Sequence, residues 1–380
     1  MSDDLRFQVS AGPHPRRGVP LAVAAPPAVA PGPVVLRADT EAIPAQVRGG
    51  TLTAVLPGLG AGETRTYRLI AADKPATVSV TPEGARLHVT LGGAPFATLH
   101  RDGAPRPFLH PVLAPGGVSV VRGWPVDPGP ADSTDHVHHR GAWVAHGDVN
   151  GVDAWADASG STAVGRLVVD ECTHTDGCAC AEISLALRWL AADGEAVAAE
   201  RRLHRFWAVD GEVRYIDIES AFGGIAGRPV RFGDTKEGGL VAVRVATGME
   251  GAKTGTIRTA EGASGEAEAW GSAAGWCDYS GTPEGADGQT VGVAIFDHPG
   301  NPLAPTRWHV RDYGLMAANP FALAAYMPGR GLRGDWEIPG GGTATFRHRL
   351  VLHRGDAACA EIAARYADWA FPPRVRWLPA

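Results

Sequence analysis

Residues 181–222 read AEISLALRWLAADGEAVAAERRLHRFWAVDGEVRYIDIESAF, and this run decides the fold class. In "ISLALRWL" every second residue is apolar, the period of a strand with one face buried. The two "DGE" triplets, Asp193–Glu195 and Asp210–Glu212, supply turns that join consecutive strands as a meander. Antiparallel strands of this length leave a wide apolar face that only a second large sheet can cover. The expectation is a large antiparallel β-sandwich.

The same pattern extends both ways. "TVSVTPEGARLHVTLGG" (77–93) is a hairpin with Gly84 in its turn, and "STAVGRLVVDECTH" (161–174) and "QTVGVAIFDH" (289–298) are further strands. Upstream, residues 6–73 hold shorter β-like runs, among them "VPLAV", "PVVLRAD" and "TRTYRLIAA". Pro/Gly turns separate them at ~8–12 residues, the mark of a sandwich. Residues 1–73 are therefore read as a small Ig-like β module and "ADKPA" (72–76) as a linker. Residues 78–380 are read as the large sandwich. One helix is expected, in "GDAACAEIAARYADWAFPP" (355–373). Asp356 is its N-cap, Cys359, Ile362, Ala363, Tyr366 and Trp369 share a face, and Pro372 stops it. Its expected place is over an edge or open end of the sandwich.

Composition excludes several classes. The formal net charge is −6, with no long Lys/Arg block, so no nucleic-acid partner is expected. No apolar run reaches the ~20 residues a membrane span needs, and "VPLAVAAPPAVAPGPVVL" is broken by proline. "MSDDLRFQVS" lacks the basic and apolar regions of a signal peptide, and a cytoplasmic location is expected. Five cysteines, an odd number, argue against a disulfide framework. "CTHTDGCAC" (172–180) matches no common zinc spacing and reads as a surface hairpin turn.

The chemistry concentrates in three segments. "STDHVHHRGAWVAHGDVNGVDAW" (133–155) carries His136, His138, His139 and His146, four of the chain's 14 histidines. If "DHVHH" is extended, His136 and His138 share a face, a geometry open to a metal, to proton transfer or to substrate hydroxyls. Arg140 follows them. Asp148, Asn150 and Asp153 have the makeup of a site loop, bracketed by Trp143 and Trp155, and indole beside carboxylates and amides suits a sugar ring. "RFGDTKEGGLVAVRV" (231–245) sets Lys236 beside Glu237, a candidate general base held ionised by its neighbour. "VGVAIFDHPGNPLAPTRWHVRDYGLMAANPF" (291–321) offers His298 at a strand end, then His309 and Arg311 on one face. Arg106, His110, Trp270 and Trp276 are lesser candidates.

These three segments, in this order, resemble the DUF6807 family, soluble bacterial proteins commonly labelled "methane oxygenase PmoA". The resemblance covers residues 78–355. A particulate methane oxygenase subunit is a membrane protein, so that label does not transfer as function. The resemblance implies a carbohydrate-active β-sandwich of the galactose-mutarotase-like kind, in the company of sugar oxidoreductases and sugar-responsive regulators. The fold expected is accordingly all-β, a mutarotase-like supersandwich behind the small Ig-like module, with one C-terminal helix.

The leading expectation is an enzyme acting on a sugar or oxidised glycoside by cleavage, elimination or epimerisation, with a small-molecule carbohydrate as its partner and neither nucleic acid nor membrane. Catalysis is assigned to His138, His139, Asp148, Glu237, His298 and His309. Binding is assigned to His136, Arg140, Trp143, Asn150, Asp153, Trp155, Lys236 and Arg311. A histidine serves as acid and Glu237 or Asp148 as base. No cofactor is assigned. A divalent metal on His136 and His138 is the alternative to metal-free chemistry. A non-catalytic sugar-binding or sensing module and a metal-dependent oxygenase are the other classes.

Overall fold

The computed structural model describes residues 5–39, 41–73, 75–157, 164–209 and 211–378. The alternation in 183–189 becomes an alternation of burial. Cys180–Leu190 is a strand that turns Ile183, Leu185, Leu187 and Trp189 inward. It pairs antiparallel with Arg166–Thr175 and Ala196–Trp207. The sheet continues through Val213–Gly223, Thr343–Arg354, Val291–Asp297, Trp276–Gly281 and Thr256–Thr259, eight strands in all. This is the back sheet. The turn at Asp193–Glu195 closes its hairpin as expected, the Glu195 N–H donating to Asp193 Oδ1 at 2.9 Å. The second "DGE" turn begins at Asp210, outside the described residues. So do Lys74 of the linker reading and residues 161–163 of the strand reading.

A second eight-stranded antiparallel sheet, the site sheet, packs against it. Its order is Trp308–Arg311, Leu315–Ala318, Gly238–Arg244, Ala142–His146, Phe108–Val112, Ala94–His100, Arg86–Leu91, Val78–Glu83. Alternate residues of each strand, such as Val89, Leu99, Val144, Val243 and Val310, join Ile183, Leu185, Phe206, Ile216 and Leu350 of the back sheet in one core. Each such side chain contributes ~1.5–3 kcal/mol by leaving water. The other alternate residues of the site sheet point away from the core, and that outer face carries the chemistry described below.

Six N-terminal strands and the C-terminal Arg374–Leu378 form a seven-stranded sheet around a core of its own that includes Phe7, Val34, Leu36, Leu52 and Tyr67. The chain is all-β, a large sandwich behind a small β module, with the C-terminal helix at Ile362–Ala370. The division at 73/78 did not foresee that Arg374–Leu378 returns to pair with Arg6–Ser10 of the first sheet. The helix covers the outer face of the back sheet and not an edge: Ile362 packs with Trp207, Tyr215, Phe296 and Val351. Asp356 accepts from the N–H groups of Ala358 and Cys359 at 3.1 and 2.8 Å, capping the turn that leads into the helix. Buried Arg16 of the first module donates to Asp368 Oδ1 of the helix at 3.1 Å. The "CTHTDGCAC" hairpin also joins the two units, because Gln46 Nε2 donates to the Cys180 carbonyl at 3.0 Å. No helix among the described residues is long and apolar enough to cross a membrane.

Candidate functional site

Two buried arginines build the histidine loop. Arg122 and Arg244 have no side-chain exposure. Arg122 donates to the carbonyls of Ser133, Asp135, His136 and His139 at 2.9–3.2 Å and to Asp135 Oδ1 at 2.6 Å. Arg244 donates to Asp135 Oδ1 at 2.7 Å, Ser133 Oγ at 3.1 Å and Glu250 Oε1 at 3.2 Å. With its carbonyls so fixed, "DHVHH" is a turn and not a strand. His136 takes φ +46°, and the His139 N–H closes the turn on the His136 carbonyl at 2.9 Å.

The expected two-faced arrangement is therefore replaced by one cluster of rings. His136 stacks on His139 at 4.8 Å and 4°, and His138 meets His139 edge-on at 4.3 Å. Tyr313 also stacks on His136 at 4.8 Å and lies 6.3 Å from His139. Burial alone would raise the Asp135 pKa, but the hydrogen bonds and charges of Arg244 and His136 outweigh it and hold the group at about 2. Since an ionised carboxylate only accepts, His136 Nδ1 donates to Asp135 Oδ2 at 2.6 Å.

The cluster lies on the outer face of the site sheet. His139 stacks on Trp143 at 5.2 Å and meets Trp155 edge-on at 5.6 Å. Trp155 in turn lies parallel to His309 at 6.3 Å. Trp270 meets His309 at 5.0 Å and Tyr326 at 5.2 Å, both edge-on. Arg311 lies 4.9 Å over Trp270 and pairs with Glu266 at 3.3 Å. Lys236 and Glu237 form an ion pair at the surface. The Glu237 charge bears on His138, His309 and Tyr326 together. The segments around 138, 237 and 309 thus converge.

Burial sets the protonation states. It pushes His138 and His309 down to about 4 against the opposing pull of Glu237, and His139 lower still. These imidazoles are neutral at pH 7. Burial would raise Glu237, but the Lys236 hydrogen bond and charge bring it below the usual value, so it is ionised. Burial raises Tyr326 far above a normal phenol. Several buried polar atoms here have no hydrogen-bond partner among the described residues: Trp143 Nε1, Trp155 Nε1, His309 Nδ1 and Tyr326 OH. Trp143 Nε1, Trp155 Nε1 and Tyr326 OH are donors and Nδ1 of the neutral His309 ring is an acceptor, and a buried polar atom left unpaired is costly unless water or a ligand satisfies it.

Other expected site residues are engaged in building the fold around the cluster. Asp148 accepts from the Gly151 N–H at 2.9 Å, and Asp153 from those of Trp155 and Ala156 at 2.8 and 3.0 Å, so both shape turns. Asn150 ties the Val197 and Pro229 carbonyls at 3.0 and 3.1 Å. His146 is buried and donates to the Gly233 carbonyl at 2.9 Å. Trp143 and Trp155, 2% and 1% exposed, are the floor of the cluster and not open stacking surfaces. Arg140 pairs with Asp157 at 2.5 Å.

His298 leaves the cluster altogether. Its strand, Val291–Asp297, belongs to the back sheet, so the strand end opens on the opposite side of the sandwich. There His298 meets Trp369 edge-on at 5.0 Å, in a cleft shared with Leu21 and Val23 of the first module. Trp276 packs in the same outer layer of the back sheet.

The metal alternative fares no better. Among the described residues, no three His, Cys, Asp or Glu side chains are disposed to hold a metal ion, and His136 and His138 meet edge-on at 5.7 Å.

Sequence reasoning missed Tyr313, Tyr326 and Arg244. A lone cation in the apolar run "VAVRV" was the signal for Arg244, and the two-residue step from His309 and Arg311 pointed to Tyr313. Nothing marked Tyr326.

No curated protein matches the chain. Solved structures of similar shape include a glycosyl hydrolase family 38 protein from Enterococcus faecalis, at 8% identity and TM-score 0.48. An alpha-mannosidase from Enterococcus faecalis V583 is similar at 9% identity and TM-score 0.47. Each covers 100% of this chain, which spans 48% and 46% of theirs, about half their length. The family model that matches the sequence spans residues 86–367, all three segments included, and the chain belongs to that family, DUF6807, a family of unknown function.

Proposed function

We propose that the chain is a carbohydrate-processing enzyme whose substrate lies on the outer face of the site sheet, over His138, His309 and Glu237. The observation that carries this reading is the meeting of four unsatisfied buried polar atoms with neutral imidazoles and an ionised carboxylate. Hydroxyl-rich ligands both donate and accept and so satisfy such atoms, and the half-buried rings of Trp270 and Tyr313 suit the CH face of a sugar.

The protonation states divide the labour. A ring whose protonated form exists only below about pH 4 is a base near neutrality, so His309, with Nδ1 unpaired, takes the proton. Glu237 stabilises the imidazolium that forms. Tyr326 keeps its proton, has no partner for it, and is the hydrogen-bond donor towards the ring or glycosidic oxygen. This reverses the expected assignment of histidine as acid.

The test is turnover of 4-nitrophenyl glucoside, galactoside, mannoside and xyloside, and exchange of the free sugars' anomers by polarimetry, each with and without chelator. Glu237→Gln and His309→Ala should lower kcat ~100-fold or more while leaving a folded protein. Binding without turnover in the wild type makes the protein a sensing module instead. Chelator-sensitive turnover restores the metal alternative. Full activity in both variants removes the site from this face.

A further inference from the structure

The outer face of the back sheet, on the side where His298 lies, carries a ladder of opposite charges. Directly opposed residues of neighbouring strands share a face. Glu182 faces Arg205, Arg205 faces Asp217, and Asp217 faces Arg349, so the signs alternate across four strands. Two residues further along, Glu219 faces Arg347. Each guanidinium has its carboxylate. Arg205 donates to Glu182 at 2.5 Å, Arg347 to Glu219 at 3.1 Å, and Arg349 to both oxygens of Asp217 at 2.5 and 2.9 Å. Trp207 Nε1 adds a further bond to Asp217 at 2.7 Å.

A charge ladder on an outward face ordinarily meets bulk water. This one, Glu182 apart, lines a cavity of about 350 Å³ whose other walls include Leu21, Ala22 and Val23 of the first module and Trp369 of the C-terminal helix. Junctions between folded units are where small-molecule sites concentrate, and the volume falls in their ~300–1,000 Å³ range. Arg349 is only 3% exposed. Its guanidinium lies over the rings of Tyr215 and Trp369, at 4.9 and 5.5 Å. No step of the proposed chemistry uses this cleft.

The ion pairs leave hydrogen-bonding capacity unused. A guanidinium has five N–H groups, and among the described residues Nη1 of Arg349 and both Nη atoms of Arg205 and Arg347 have no hydrogen-bond partner. Arg349 is almost wholly buried, so what satisfies its Nη1 is what fills the cavity. His298 adds a donor. Burial and the Arg347 charge lower its pKa, so the ring is neutral at pH 7. Its Nδ1 accepts from the Gly300 N–H at 3.0 Å, which puts the ring proton on Nε2, again without a partner among the described residues. Glu219 Oε1 is an acceptor in the same position.

The pairing decides the ligand's charge. With every arginine already matched to a carboxylate, an anion finds no spare cation and a cation no spare carboxylate. Hydroxyl groups donate and accept at once, and so fit unpaired N–H groups set beside carboxylate oxygens. Trp369 offers an apolar face to ring CH groups. The volume is near the lower end of the range, room for one ring. We infer that this cleft is a second binding site, apart from the reacting face, for an uncharged monosaccharide held by Arg349, Arg347, Glu219 and His298. It binds without chemistry of its own, and it stands or falls independently of the enzymatic reading.

The test is calorimetric titration with glucose, galactose, mannose and xylose, and with glucuronate and glucosamine as charged comparators. At least one uncharged sugar should bind the wild-type protein. His298→Ala and Arg347→Ala should each weaken that binding about tenfold, the effect of one lost hydrogen bond. Ala22→Trp, at an exposed strand position, fills the cleft without removing a polar group and should abolish binding there. His309→Ala and Glu237→Gln should leave the cleft's binding intact. Binding that survives all three cleft variants overturns the inference, as does no binding of any uncharged sugar at millimolar concentration. Tighter binding of a charged comparator than of every uncharged sugar overturns it too. Turnover without cleft binding removes this site and keeps the enzyme, whereas cleft binding without turnover keeps this site and removes the enzyme.

Discussion

Asp135→Asn tests how the histidine turn is held. The carboxylate takes hydrogen bonds from Arg122 at 2.6 Å, Arg244 at 2.7 Å and His136 at 2.6 Å, and both arginines are fully buried. Removing one partner of a buried ion pair costs ~3–5 kcal/mol. Two facts lower that figure. Asp135 is itself 39% exposed, so solvent screens it, and Arg244 keeps Glu250 at 3.2 Å. The expected loss is about 2 kcal/mol at pH 7, read from urea unfolding followed by tryptophan fluorescence. The pH dependence sharpens the test. The folded pKa is depressed to about 2 from 3.8, so the stabilisation is complete above about pH 4 and is lost as pH falls towards 2. The gap between wild type and variant should therefore close across that window, as the wild-type carboxyl becomes neutral like the amide. A loss under ~0.5 kcal/mol at pH 7, or a gap that persists unchanged to the acid transition, would refute the claim that this charge anchors the turn.

Three further outcomes follow from the geometry. Gly141 enters its strand at φ +55°, and a Cβ there would lie 2.0 Å from the Leu109 carbonyl oxygen. Gly141→Ala should cost about 3 kcal/mol or more in thermal or urea unfolding, and a loss below ~1 kcal/mol would contradict the packing. His298→Ala should leave glycoside turnover at the wild-type rate, because the residue sits on the opposite side of the sandwich; a large loss would move the active face to the back-sheet cleft. Because His138 and His309 are held neutral down to about pH 4, the acid limb of kcat/KM should fall near pH 4. A limb at the ordinary imidazole value of ~6.5 would show that the working base is solvated.

Strand periodicity was legible in the sequence because burial on one face imposes a two-residue period that nothing else in the chain imitates. The sandwich class followed from it. Strand order did not, since Ala142–His146 finds its partner in Gly238–Arg244, across a long stretch of intervening chain. The crowding of histidines was equally visible, but their conformation depends on Arg122 and Arg244, whose reach is tertiary. His298 shows the same limit: the direction in which a strand end opens depends on which sheet it joins. Asp148, Asn150 and Asp153 read as site-loop residues from their composition, and in the fold their side chains are engaged in shaping and tying down the loop itself. Tyr326 carries no local signal, because its role rests on Trp270 and Glu237 arriving from distant parts of the chain.

The central claim is spatial, and a crystal of the Glu237→Gln protein soaked with lactose or cellobiose addresses it most directly. The account predicts sugar density on the outer face of the site sheet, within hydrogen-bond reach of His309 Nδ1 and Tyr326 OH. Sugar bound only in the cleft beside His298, or none there or on that face at millimolar concentration, would contradict it.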